Sequence, residues 1–233
     1  MNLKTINSFK AMCLVPLTAV CLASAPAQAQ TAPAMSPSDG KPMGQMHKGA
    51  AGSHDMKAAM MMGMDGMQKM SMSGDTDRDF AMMMKMHHQG SIDLGMAEIK
   101  YGKHAEAKQL AEMAIKGDKE SQERLQSFLN QHPTPEKIDA DVYNQFMQQM
   151  KTAMEQMIQA YKQVPNTPDV DVDFVRRLIE HHKGAIAMAT LQFKYGNDVA
   201  PTDEAGIIIT EQAGAIKELA TFANKQGIPT TTK

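Results

Sequence analysis

Thiols are nearly missing from this chain. Its 233 residues include two cysteines, Cys13 and Cys21, and both fall in an apolar leader. Without them the chain has neither a disulfide nor a thiolate ligand, so any metal chemistry must use His, Met and carboxylates. Trp is absent and aromatic residues make up only 5%, which removes the stacking platforms that sugar and single-strand readers use. The formal charge is −2, and about −4 once Lys4 and Lys10 leave with the leader, which gives nucleic acid or an anionic membrane nothing to hold. No segment past the leader is long and apolar enough to cross a bilayer, so no membrane insertion is expected after its removal.

The leader spans residues 1–29. Lys4 and Lys10 flank the start of an apolar run, Ala11 to Ser24, and Ala27-Gln28-Ala29 is a small-x-small cleavage site. An exported, periplasmic protein beginning at Gln30 is expected. A lipid anchor at Cys21 is the weaker reading, because Val20 is a poor residue to precede a lipidated cysteine.

Methionine is what the chain has in excess. Of 24, only Met1 and Met12 belong to the leader. Residues 30–74 contain many of them among Ala, Gly, Ser, Pro and Lys, with no large aliphatic or aromatic side chain. Such a segment cannot offset its ordering entropy by burial and reads as a disordered arm. It carries Met43, Met46, His47, His54, Met56, Met60, Met61, Met62, Met64, Met67, Met70 and Met72. Thioethers two and three residues apart on an adaptable strand suit capture of one Cu(I), with a low-complexity spacer as the plainer alternative.

From Asp75 onward the pattern is helical and shows no strand alternation, so the expected class is all-α. Asp75 or Thr76 starts a helix that stops at Gly102, taken as a left-handed C-terminal glycine. Further helices are expected over 104–130, from a Thr134 cap to about 163, over 170–195, and from about 201 to 227. A repeat links them: His87-His88 recur as His181-His182, Asp79-Phe80 as Asp173-Phe174 and Tyr101-Gly102 as Tyr195-Gly196, all displaced by 94. Two hairpins, 75–130 and 169–227, therefore pair into a four-helix bundle, and a long helix within 134–164 connects them.

On a helix, residues three and four apart share a face, which aligns Met83 with His87 and Met84 with His88 in the first unit. In the second unit His181 aligns with Met188. Imidazole suits copper, zinc, iron and nickel, whereas thioether sulfur suits Cu(I) and few others. A Met and His set without Cys thus points to copper, most plausibly Cu(I), with Ag(I) as a mimic. Zinc would prefer thiolate or carboxylate beside its histidines. Two repeated histidine pairs retained for packing would look the same in sequence, so both readings stay open at this point. Met147, Met150, Met154 and Met157 form a stripe read as core. No Glu-x-x-His pair, phosphate loop or nucleophile elbow is present, so no enzyme is expected.

DRDFAMMMKMHHQGSIDLGMAEI and DFVRRLIEHHKGAIAMATLQF resemble the bacterial domain-of-unknown-function family 305. The resemblance covers most of Asp75 to Ala223. It implies an exported protein with a ferritin-like helical arrangement and, as in CopM-type periplasmic copper-binding proteins, a role in copper resistance. It also implies that Met84, His87 and His88, then His181, His182 and Met188, are ligands. Leu178 stands at the place of Met84, and Leu94 at that of Met188, so one composite site fits better than two equivalent ones. The expected function is capture, buffering or delivery of Cu(I), with a copper exporter or periplasmic copper oxidase as possible partner. The alternatives are a metal-dependent redox enzyme in the bundle, or a Met-rich module that docks such an exporter or oxidase.

Overall fold

A computed structural model describes residues 51–230, and these form six α-helices with no strand among the described residues. They are α1 (Ala51–Gln68), α2 (Thr76–Tyr101), α3 (Ala105–Gln131), α4 (Ala140–Gln163), α5 (Val170–Tyr195) and α6 (Val199–Lys225). The leader and residues 30–50, with Met43, Met46 and His47, lie outside the described residues. The four-helix bundle is α2, α3, α5 and α6, with α2 against α5 and α3 against α6; α4 joins the hairpins and packs on α5. The all-α class and the paired-hairpin architecture are as expected.

The helix starts follow from side-chain caps. Asp75 accepts from the Asp77 and Arg78 amides, and its repeat counterpart Asp169 from Asp171 and Val172. Asp139 accepts from Asp141 and Val142, so α4 begins later than a Thr134 cap would place it. The extended 134–139 stretch is used elsewhere: the Glu136 amide donates to Asp75 across 2.8 Å.

The helix stops need a correction. Gly102 has φ −62° and Gly196 φ −71°, both extended rather than left-handed. Glycine is required there by a close approach: a Cβ on Gly102 would overlap the Glu98 carboxyl, and one on Gly196 the Gln192 amide. Those two side chains belong to a reciprocal clasp. Gln192 and the Asn197 amide donate to Asp77, while the Lys103 and His104 amides donate to Asp171. Each hairpin thus grips the turn that follows the other's first helix.

The segment read as an arm is also corrected in its second half. Residues 51–68 are helical, and α1 packs on α2 with a smaller contact on α5. Met56, Met60, Met64 and Met67 are buried, following a spacing of four, four and three residues that puts them on one helical face. Met61, Met70 and Met72 pack partly against the same core, His54 is half-buried near Asn166, and only Met62 is well exposed, at 75%. The lack of aliphatic residues does not prevent burial here, because unbranched thioether chains fill irregular gaps as well as Leu does. The repeat also runs one helix further back: buried Met56 and Met60 of α1 answer to buried Met150 and Met154 of α4 at the displacement of 94.

Candidate metal centre

The central seam between α2 and α5 is where the repeated histidines meet. His87, His88, His181 and His182 are each no more than 2% exposed. The rings of His87 and His181 lie 3.8 Å apart between centroids, tilted by 31°. A methionine from α4 touches this pair, and one from α1 lies beside Gly90 close by. His87 Nε2 sits 3.1 Å from the Met157 sulfur of α4. His181 Nε2 and the Met60 sulfur of α1 both lie within 4 Å of the point a Gly90 Cβ would occupy, at 3.8 and 3.1 Å. Gly184, the counterpart of Gly90, is more tightly constrained, since a Cβ there would overlap the Met157 sulfur. The small residues one turn after each histidine therefore make room for a thioether.

Burial pushes the His181 ring down to about 4, with nearby Asp118 opposing, and holds His87 well below the usual histidine range, its neighbours His181, His88 and His182 adding to the effect. Both rings are neutral at pH 7 and can offer lone pairs. His181 Nε2 lies 3.0 Å from the His87 carbonyl and donates to it, which leaves the His181 lone pair on Nδ1. Nδ1 of His87 and of His181 has no partner.

The adjacent histidines turn to the other side, toward α3 and α6. His88 has one nitrogen hydrogen-bonded and the other against a carboxylate. Nδ1 is 3.0 Å from Asp118 Oδ1, close but poorly aligned for a hydrogen bond, and Nε2 is 3.0 Å from Ser121 Oγ. Ser121 in turn donates to Glu204, which Arg124 neutralises. Burial alone would raise the Asp118 carboxyl, but His88 outweighs it and keeps Asp118 well below the usual carboxylate range. His182 has no partner on either nitrogen.

Of the residues singled out in the sequence, the structure brings together His87 and His181, and it sets the Met60 sulfur and His181 Nε2 both close to Gly90. Met83, Met84 and Met188 are fully buried members of the apolar core. Met157, read from sequence as core, is the thioether closest to a ring nitrogen; its spacing in the methionine stripe carried the helix face but not the partner. Asp118 and Gln212 were also missed, although they occupy the same place in the two units. Among the described residues no three His, Cys, Asp or Glu side chains converge as a ligand cluster. What meets the ring pair is the Met157 sulfur.

A family model described as a domain of unknown function, DUF305, matches residues 77–223. The chain belongs to the DUF305 family. A DUF305 protein from Streptomyces coelicolor is 17% identical with a TM-score of 0.55, covering 70% of this chain and 99% of its own, and it shares the fold. A DUF305 fragment from Deinococcus radiodurans is 20% identical at a TM-score of 0.48, covering 64% of this chain and 96% of its own. CopM in an Ag-bound form is 22% identical at 0.47, again covering 64% and 96%. No curated protein matches the chain. Among the described residues no helix is long and apolar enough to cross a membrane.

Proposed function

We propose that this DUF305 protein is an exported copper-binding protein that captures, buffers or delivers Cu(I) through a composite centre of His87, His181, Met157 and Met60. One observation carries the reading: two neutral imidazoles whose rings lie 3.8 Å apart in the core, with the Met157 sulfur 3.1 Å from a nitrogen of His87 and the Met60 sulfur beside Gly90 on the same seam. A pure packing role fits poorly. Each unpartnered buried polar atom costs about 1–3 kcal/mol, and a core that needed only shape would be better served by Leu or Met. The donor set is soft and lacks carboxylate and thiolate, which favours Cu(I) and its mimic Ag(I) over zinc or iron.

The chain's own residues set what binding demands. His87 offers Nε2 toward Met157 with little rearrangement. His181 must move its proton from Nε2 to Nδ1 and release the His87 carbonyl before Nε2 becomes a donor. Export to the periplasm, suggested by the leader, supplies the compartment in which a thiol-free soft site resists oxidation. His88 is left out of the ligand set because its ring turns away from the seam, with Nε2 on Ser121 and Nδ1 against Asp118.

An anaerobic titration with Cu(I) against a chromophoric chelator tests this. Met157→Leu is expected to weaken one tight Cu(I) equivalent at least about tenfold while Zn(II) binding and helix content stay unchanged. Equal Cu(I) affinity in wild type and Met157→Leu would reject the centre.

A further inference from the structure

The other face of the histidine pairs holds donors that the thioether centre does not use. A cavity of about 370 Å³ opens between α3 and α6. His182 of α5, Asp118 of α3 and Gln212 of α6 line it, and they are 1%, 1% and 8% exposed. Each points an unpaired polar atom out of its own hydrogen bonds: both ring nitrogens of His182, Oδ2 of Asp118 and Oε1 of Gln212. Buried polar atoms are almost always satisfied, so four orphaned atoms from three residues on one cavity call for an occupant.

The bonds already present orient the set. Gln212 Nε2 donates to Asp118 Oδ1 over 3.1 Å, and His88 Nδ1 approaches that same oxygen at 3.0 Å. Oδ1 is thereby used twice while Oδ2 is left free, and the Gln212 carbonyl end is turned away from its own bond. The repeat explains why His182 is unpaired. Asp118 and Gln212 are displaced by 94, as are His88 and His182. A carboxylate at 212 would give His182 the partner that Asp118 gives His88; the amide does not. Glu120, Glu211 and Glu218 also line the cavity, against one cation, Lys116.

Met113, on the cavity wall, is 57% exposed, so the buried donors are imidazole nitrogen, carboxylate oxygen and amide oxygen, a borderline set suited to Cu(II) or Zn(II) more than to Cu(I). Only two of the three donors are of the His, Cys, Asp or Glu kind. We propose that the α3–α6 cavity is a second cation site, taking a divalent ion such as Zn(II) through His182, Asp118 Oδ2 and Gln212 Oε1. It stands on its own donors and does not depend on the thioether centre.

Zn(II) is the probe, titrated into the full chain in competition with a chelator. Gln212→Leu removes one donor and touches neither His87 nor His181. The expected result is the loss of one Zn(II) equivalent with circular dichroism and the Cu(I) titration unchanged. Gln212→Glu places a second carboxylate beside Asp118. Zn(II) should raise its melting temperature by more than it raises that of the wild type. An unchanged Zn(II) count in Gln212→Leu, or a Gln212→Glu protein insensitive to Zn(II), would mean that the cavity holds water only. Loss of the Cu(I) reading with the Zn(II) result intact would sink the thioether centre alone.

Discussion

At the residue scale, one glycine and one acid make the sharpest predictions. Gly184→Ala removes no donor, yet its methyl would occupy the place of the Met157 sulfur. Cu(I) affinity is expected to drop by about tenfold or more in the chelator competition, a displacement of the kind that outer positions exert on a metal. An unchanged affinity would show that Met157 does not need its present seat. Glu98 tests the clasp. It stands where the second unit has Gln192, and burial first, then the neighbouring Asp171 carboxylate, push it up to about 9. A protonated Glu98 can donate to Asp171 as Gln192 donates to Asp77. Because its folded value exceeds the unfolded value of about 4.5, its contribution is full below pH 4.5 and declines as pH rises toward 9. Glu98→Gln makes the donor permanent. The variant should therefore melt at a higher temperature than wild type at pH 8 and show little difference at pH 4.5. Each kcal/mol gained reads as about 2–4 °C for a chain of this size. A gain that does not depend on pH would remove the proton from the account.

At the element scale, α1 is the lesson. Sequence composition pointed to an arm because Val, Ile, Leu and Phe are missing between 30 and 74, and that rule assumes that burial needs branched or aromatic carbon. Met56, Met60, Met64 and Met67 bury fully without it. The pattern was present all along, as a face spaced by four, four and three and as an echo of Met150 and Met154. The helices after Asp75 were legible because Asp caps, Pro breaks and the 3.6-residue face agree with one another there. The left-handed glycine at Gly102 was not, since the close approach of Glu98 depends on tertiary packing. Met64→Ala, 1% exposed in the wild type, should cost about 2–5 kcal/mol in urea unfolding. A cost under about 0.5 kcal/mol, as at a surface position, would return this segment to the status of an arm.

At the scale of the whole molecule, a duplicated unit has been used asymmetrically. The adjacent histidines of each unit face opposite ways, one ring toward the methionines of α1 and α4, the other toward the carboxylate and amide of α3 and α6. The histidine pairs were visible in the sequence as the likeliest seat of chemistry, but which atoms meet them was not. Met157 lies 70 residues from His87, and Gln212 lies 94 from Asp118, so neither pairing leaves a local spacing to read. The division into a sulfur-rich side and an oxygen-rich side arises only when the six helices are packed.

The proposed centre places copper between imidazole and thioether in the α2–α5 seam. X-ray absorption at the copper edge, on protein loaded with one equivalent of Cu(I), tests it directly. The account predicts a mixed first shell of nitrogen and sulfur, with the sulfur contribution reduced in a Met60→Leu, Met157→Leu double variant. A shell of nitrogen and oxygen alone, or a sulfur contribution indifferent to those two substitutions, would contradict it.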